Sequence, residues 1–282
     1  MTRQKHREGY RDERGAEPGK EWNEKRKSRR RRNRRKARIR FLASMLGTLL
    51  GAVLLVLVAY TALNLFCGFG KVNTQKLREQ GYPESLIALV ERNPETKDFV
   101  LDYPKYKGLE EIDISKDVMK GEIPHFLQWD ERWGYETYGS DFLAVTGCGP
   151  TCLSMVTCGL TGDTRWNPYE VAKMAEDNGY YVDGSGSSWA LMSSGAEKLG
   201  LTVSSVIFDA EHIRATLEAG QPIICVMGPG DFTNAGHFLV LTGVDKNGDI
   251  ILQDPNSVKR TKQHWDVQKL MNQMKNLWAY SC

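Results

Sequence analysis

The sequence predicts an α+β domain behind a single N-terminal membrane-spanning helix. Three observations carry this. An uncharged run of 26 residues, "FLASMLGTLLGAVLLVLVAYTALNLF" (Phe41–Phe66), follows a strongly basic arm. Helical periods then dominate the first part of the remainder. Short apolar strands dominate the last part, two of them joined through "DKNG", a hairpin signal.

Taken in order, residues 1–40 hold 18 Lys and Arg against 6 Asp and Glu, and few apolar side chains. Such a segment cannot bury enough surface to fold alone, so a disordered tail is expected. The apolar run exceeds the roughly 20 residues that cross a bilayer core. It is also longer than the apolar region of a secretory signal. Ala59-Tyr60-Thr61 is a poor cleavage site, and Phe66 is bulky where a lipoprotein signal ending at Cys67 wants a small residue. Lys25–Arg40 abuts one end, whereas Lys71, Lys76 and Arg78 are the nearby cations at the other. Positive charge stays inside, so a cytoplasmic N-terminus and an extracellular C-terminal domain are expected in the cell membrane. The basic tail then lies near anionic lipid headgroups. It lacks the aromatic interleaving of a nucleic-acid arm, and no nucleic-acid partner is expected.

Residues 67–120 read as a stalk with one or two short helices, either free-standing or packed on the main domain, beginning in a flexible exit (67–75). Leu86, Ile87, Leu89 and Val90 form a stripe after Pro83. The main domain spans 121–282. "CGPTCLSMVTCGL" (Cys148–Leu160) is apolar on most sides and has Pro150 in its first turn, which predicts a buried helix. Asn167 and Pro168 start an amphipathic helix that Gly179 stops. Helices over 187–201 and 210–222 follow, with strands around 202–208, 222–228, 237–244 and 249–254. A last helix and a terminal strand, "NLWAYS", close the domain.

Of six cysteines, Cys148 stands at a predicted helix start, where unpaired amides and the helix dipole favour thiolate. Gly147 and Gly149 leave room for a substrate backbone. Cys152 and Cys158 fall inside the helix as packing thiols. The cysteine spacings match neither a disulfide framework nor a zinc site, and neither metal nor cofactor is expected. A thiolate nucleophile needs a base. His6, His125, His212, His237 and His264 are available, and His237 opens an apolar strand. A two-residue Asn247-Gly248 loop puts His237 and Asp254 on one face of the hairpin, but with Asp254 opposite Leu241, roughly 13 Å from His237. A bulge or another loop register is needed to bring them together.

"GCGPTCLSM", "GHFLVLTGV" and "LQDPNS" resemble the bacteriocin-processing (double-glycine leader) peptidases and their membrane-associated relatives among the papain-like cysteine peptidases. The resemblance covers about residues 121–282. It implies a papain-like fold with a buried nucleophile helix and an antiparallel sheet. It implies Cys148 as nucleophile, His237 as general base and acid, and Asp254 as its orienter. Gln128, twenty residues before Cys148, is implied as the side-chain oxyanion donor. "GSGSSWALMSSGAEKLGL" is implied at the cleft edge. Gly147 stands where leader peptidases carry Asp. The expected function is a membrane-anchored, extracytoplasmic cysteine peptidase acting on a peptide or protein. A cell-wall peptide amidase or endopeptidase, and a non-catalytic binding module on the same scaffold, are the alternatives.

Overall fold

The structure is a computed structural model that describes residues 18–68 and 72–282. They fall into two compact units, split between Lys71 and Val72.

The described residues of the first unit form one helix, α1 (Pro18–Gly68). Its Arg29–Val58 portion is long and apolar enough to cross a membrane, by length and composition. Helix over residues 18–40 departs from the expected disorder. Lys, Arg and Glu are good helix formers, and this stretch is continuous with an apolar helix that removes the nucleation cost. The first seventeen residues of the expected tail, and residues 69–71 of the expected exit, lie outside the described residues.

The second unit opens with α2 (Thr74–Glu79), α3 (Glu84–Arg92), a 3-10 turn over Pro94–Thr96, and α4 (Lys97–Asp102). The stripe Leu86, Ile87, Leu89 and Val90 is buried as its spacing predicts. Of the two readings of the stalk, the structure has the packed one. The stripe packs with Phe99, Val100, Tyr135 and Ala144 in one cluster. The Phe99 and Tyr135 rings stack with centroids 4.2 Å apart, and the Tyr135 hydroxyl donates to the Phe99 carbonyl at 2.6 Å. An amphipathic stripe looks the same in sequence whatever covers it. Here the covering surface comes from residues 133–145, so residues 72–282 form one unit.

Two short strands, β1 (Thr137–Tyr138) and β2 (Asp141–Phe142), lead into α5 (Leu143–Thr146) and the central helix α6 (Cys148–Thr161). Helix α6 ends at Gly162, whose φ of 77° supplies the left-handed cap. Next come α7 (Pro168–Asp177), with its first amides bonded to the Asn167 side chain, and the ribbon β3 (Tyr181–Val182) and β4 (Gly186–Ser187). The helix expected over 187–201 is broken into a 3-10 turn at Trp189–Met192 and α8 (Ser194–Lys198). Strand β5 (Thr202–Ser205), α9 (Ala210–Glu218), β6 (Ile223–Met227), β7 (His237–Val244), β8 (Ile250–Gln253), α10 (Val258–Thr261), α11 (Val267–Met271) and β9 (Met274–Ser281) complete the chain.

The five longer strands make one antiparallel sheet in the order β5-β9-β6-β7-β8. Both faces are covered, so β6 is buried at every position instead of at every second one. Ile224, Val226, Phe238, Val240 and Tyr280 face the cluster built on α6. Ile223, Cys225, Leu239, Leu241 and Leu252 face a second cluster that includes Ile213 and Leu217 of α9 and Leu270 of α11. This sandwiching sets the N-terminus of α6 against the start of β7.

Candidate active site

Cys148 is the first residue of α6, and His237 is the first residue of β7. Asp254 follows the last residue of β8. How the hairpin brings His237 to Asp254 depends on two departures from the expected register. The turn closes through the Asp245 amide on the Asp249 carbonyl at 2.8 Å, with Gly248 at φ 85°, so the loop holds three residues instead of two. The ladder then reads Val244 opposite Ile250 and Gly243 opposite Ile251. It shifts by one at Thr242, continuing with Leu241 opposite Leu252 and Val240 opposite Gln253. Continuing that count puts Asp254 level with Leu239, two residues from His237 on the same face. The ~13 Å gap thus shrinks to ~7 Å of strand, within reach of two facing side chains.

Across it, His237 Nε2 and Asp254 Oδ1 are 2.8 Å apart. Asp254 is fully buried and His237 nearly so. The Asp254 carboxylate also accepts from the Asn256 amide at 2.8 Å and from Arg260 Nε. Its main chain is fixed as well. The amide donates to Thr261 Oγ1 at 2.9 Å, and the carbonyl accepts from His125 Nε2 at 2.7 Å. Burial works against an ionised Asp254, but the charge and hydrogen bond of His237, the Arg260 guanidinium and the Asn256 amide outweigh it. Its pKa is held below the ordinary carboxylate range.

With Nε2 on Asp254, the other ring nitrogen, Nδ1, is the one left for Cys148, which lines the cleft beside His237. Burial alone would lower the His237 pKa; Asp254 and the Cys148 thiolate push it up, to about 9. Burial likewise raises the Cys148 thiol, but the His237 hydrogen bond and charge, with the Phe238 and Gly149 amides, bring it below its ordinary value. The same helix provides the contrast. Burial pushes Cys152 well up and Cys158 up to about 12. The pair Cys148–His237 therefore favours thiolate and imidazolium, the charge state a sulfur nucleophile needs.

Gln128 is buried and lines the cleft with Cys148 and His237. Its amide nitrogen donates to the Ala144 carbonyl at 2.7 Å, which leaves the second N–H of that group uncommitted. Its backbone amide is tied to the Pro255 carbonyl at 2.7 Å.

The flanking glycines do a different job from the one expected. A Cβ on Gly147 would lie 2.4 Å from the Leu143 carbonyl oxygen, and one on Gly149 would lie 2.4 Å from Ser187 Oγ. The space is taken by the protein's own turn from α5 into α6 and by β4, so it does not admit substrate. It also explains why Gly147 carries no side chain at this position. Gly147→Ala is expected to cost about 1–3 kcal/mol through overpacking. A lowered melting temperature of the full chain checks this, and an unchanged one would contradict it. Gly236, just before His237, has no atom within 4 Å of its Cβ position. That side is the open one.

The cleft has two arms meeting at Cys148 and His237. One, of about 500 Å³, runs past Gln128 to the Gly230–Gly236 loop, Asn256 and Arg260. The other, of about 760 Å³, runs between Asp141 and Phe238 along Gly184–Trp189. The remaining histidines sit elsewhere. His125 braces Asp254 from behind, His212 pairs with Asp209, and His264 Nδ1 meets Asp245 Oδ2 at 2.7 Å. His6 lies outside the described residues. Sequence reasoning missed Arg260, His125 and Thr261 as partners of Asp254. The one available signal was "DPNSVKRT", where Ser257 caps a single helical turn that returns Arg260 and Thr261 to Asp254. Among the described residues no cluster of His, Cys, Asp and Glu is arranged to hold a metal ion.

A comparison with curated proteins returns no match. A solved structure described as a C39-like peptidase from Bacillus anthracis is 18% identical. That match covers 58% of this chain and 97% of the other, with a TM-score of 0.35. Residues 120–281, more than half of the chain and including Cys148, His237 and Asp254, match the model of the Peptidase_C39 like family, and the chain belongs to that family.

Proposed function

We propose that the chain is a cysteine peptidase with a papain-like arrangement, anchored in the membrane by α1 and working outside the cytoplasm. One observation carries the reading: Asp254 holds His237 through Nε2, leaving Nδ1 to the only thiol of α6 whose acidity is raised. In this scheme Cys148 Sγ attacks the peptide carbonyl carbon. The second N–H of Gln128 and the amide of Cys148, at the N-terminus of α6, meet the oxyanion. Collapse of that intermediate breaks the C–N bond, and His237 gives its proton to the departing amine. Water, deprotonated by His237, then hydrolyses the thioester and frees the thiol. The uncharged run Phe41–Phe66 supports the anchor, and the Lys25–Arg40 cluster beside it supports a cytoplasmic N-terminus near anionic headgroups.

Thiol labelling tests the chemistry. Cys148 is expected to react with iodoacetamide far faster than a free thiol at pH 6–7. Its rate should fall as pH drops through the lowered thiol pKa. In His237→Ala that advantage at neutral pH should vanish. Labelling at the rate of a free thiol in the unaltered protein would refute the assignment.

A further inference from the structure

We propose that Arg92, on a helix outside the family region, recognises a carboxylate on the substrate. The inference rests on the reading of the cleft as a peptide site and names what that site selects.

Helix α3 ends at Arg92, some 28 residues before the family match begins. Yet Leu89, Arg92, Asn93 and Glu95 line the arm that holds Gln128, Cys148 and His237. Arg92 lines the second arm too, so it stands where both meet. The wall is fixed in place. Its apolar face is buried against Phe99, Tyr135 and Ala144. The Asn93 side-chain nitrogen donates to the Asn256 carbonyl at 2.6 Å and to its Oδ1 at 2.9 Å. The Glu95 carboxylate accepts from the Ser257 hydroxyl and from the Lys259 amide. The wall is thus bolted to the loop that carries Asp254.

The other charges of the first arm are spent within the protein. Arg260 is held by Asp254, Glu95 by Ser257 and Lys259, and Asp231 by Lys269. Arg92 is exposed, and its Nε donates to the Ala88 carbonyl at 3.2 Å. Both terminal guanidinium nitrogens remain, and among the described residues no carboxylate pairs with Arg92. A planar fork of donors fixed at its stem, facing a cleft, suits a carboxylate. The carboxylate belongs either to an Asp or Glu side chain or to a chain terminus.

Bromoacetyl dipeptide amides carrying Glu or its isostere Gln separate this charge from all else, using the full chain in detergent. A third reagent, with Gln and a free C-terminal carboxylate, distinguishes side chain from terminus. In about 20 mM salt, where exposed charges are little screened, an acidic reagent should alkylate Cys148 about fivefold faster than the neutral one. Arg92→Lys should keep most of that ratio. Arg92→Ala should bring it to about one, and Arg92→Glu should invert it. A ratio that neither Arg92→Ala nor Arg92→Glu alters overturns the proposal. The ratio is defined at any labelling rate. A slow absolute rate indifferent to His237→Ala would therefore fail the peptidase reading alone, with the role of Arg92 still decided.

Discussion

Cys148→Ala is expected to abolish peptide hydrolysis, lowering kcat by about 10⁴-fold or more, with little loss of stability. The thiol is half-buried at the cleft floor, and its removal leaves the apolar packing of α6 in place. His237→Ala should cost a similar factor. The double variant should be no worse than either single one, because the two groups act as a unit. Quenched fluorescent peptides hydrolysed by the full chain in detergent provide the measurement. Appreciable turnover in Cys148→Ala, or multiplicative losses in the double variant, would sink the assigned roles. Cys152→Ala makes the control: that thiol is buried and held neutral, so its loss should affect packing and leave the nucleophile in place.

Asp254 should show the largest combined effect on activity and stability. Asp254→Ala leaves Arg260 and His237 without their buried partner, which is expected to cost about 3–5 kcal/mol. Asp254→Asn is more informative. It keeps an acceptor for His237 but removes the charge that pushes the ring up to about 9. The His237 pKa should then fall towards its ordinary value of about 6.5. The alkaline limb of activity should move down with it, and the Cys148 thiolate should lose support. Stability follows the same signs. The contribution of a raised His237 is complete below about pH 6.5 and disappears as pH rises through about 9. That of a depressed Asp254 is present above about pH 4 and disappears as pH falls through its folded value. Denaturant melts of the two proteins between about pH 2 and pH 10 measure both. An alkaline limb unmoved in Asp254→Asn would show that the carboxylate does not set the imidazole.

Local rules made much of the scaffold legible. Pro150 marks the first turn of α6, Asn167 caps α7, and Ile223–Met227 reads as a buried strand; the chain itself signals each of these. The two faces of the hairpin were legible for the same reason, since side-chain alternation is local. The distance between His237 and Asp254 was not. It depends on one extra loop residue and one bulge, and neither leaves a mark in the apolar pattern. Gly147 and Gly149 were visible as special positions, but sequence does not say whether the space beside them is empty or filled. That the segment before residue 120 packs on the main domain was not fixed by its own stripe, because its covering surface lies some fifty residues later in the chain. Arg260 escaped notice because a pairing six residues on depends on how one turn folds back.

The clamp between Asn93 and Asn256 has a consequence for how this chain can diverge. Residues 84–95 serve at once as core and as cleft wall, so a substitution there that keeps the apolar stripe is free to alter what the cleft accepts. The proposed triad of Cys148, His237 and Asp254 would be untouched. With Arg92 in its proposed role, substrate preference can drift under relaxed selection at that position while the proposed chemistry stays under strict selection, so that two chains with the same Cys, His and Asp would serve different peptides.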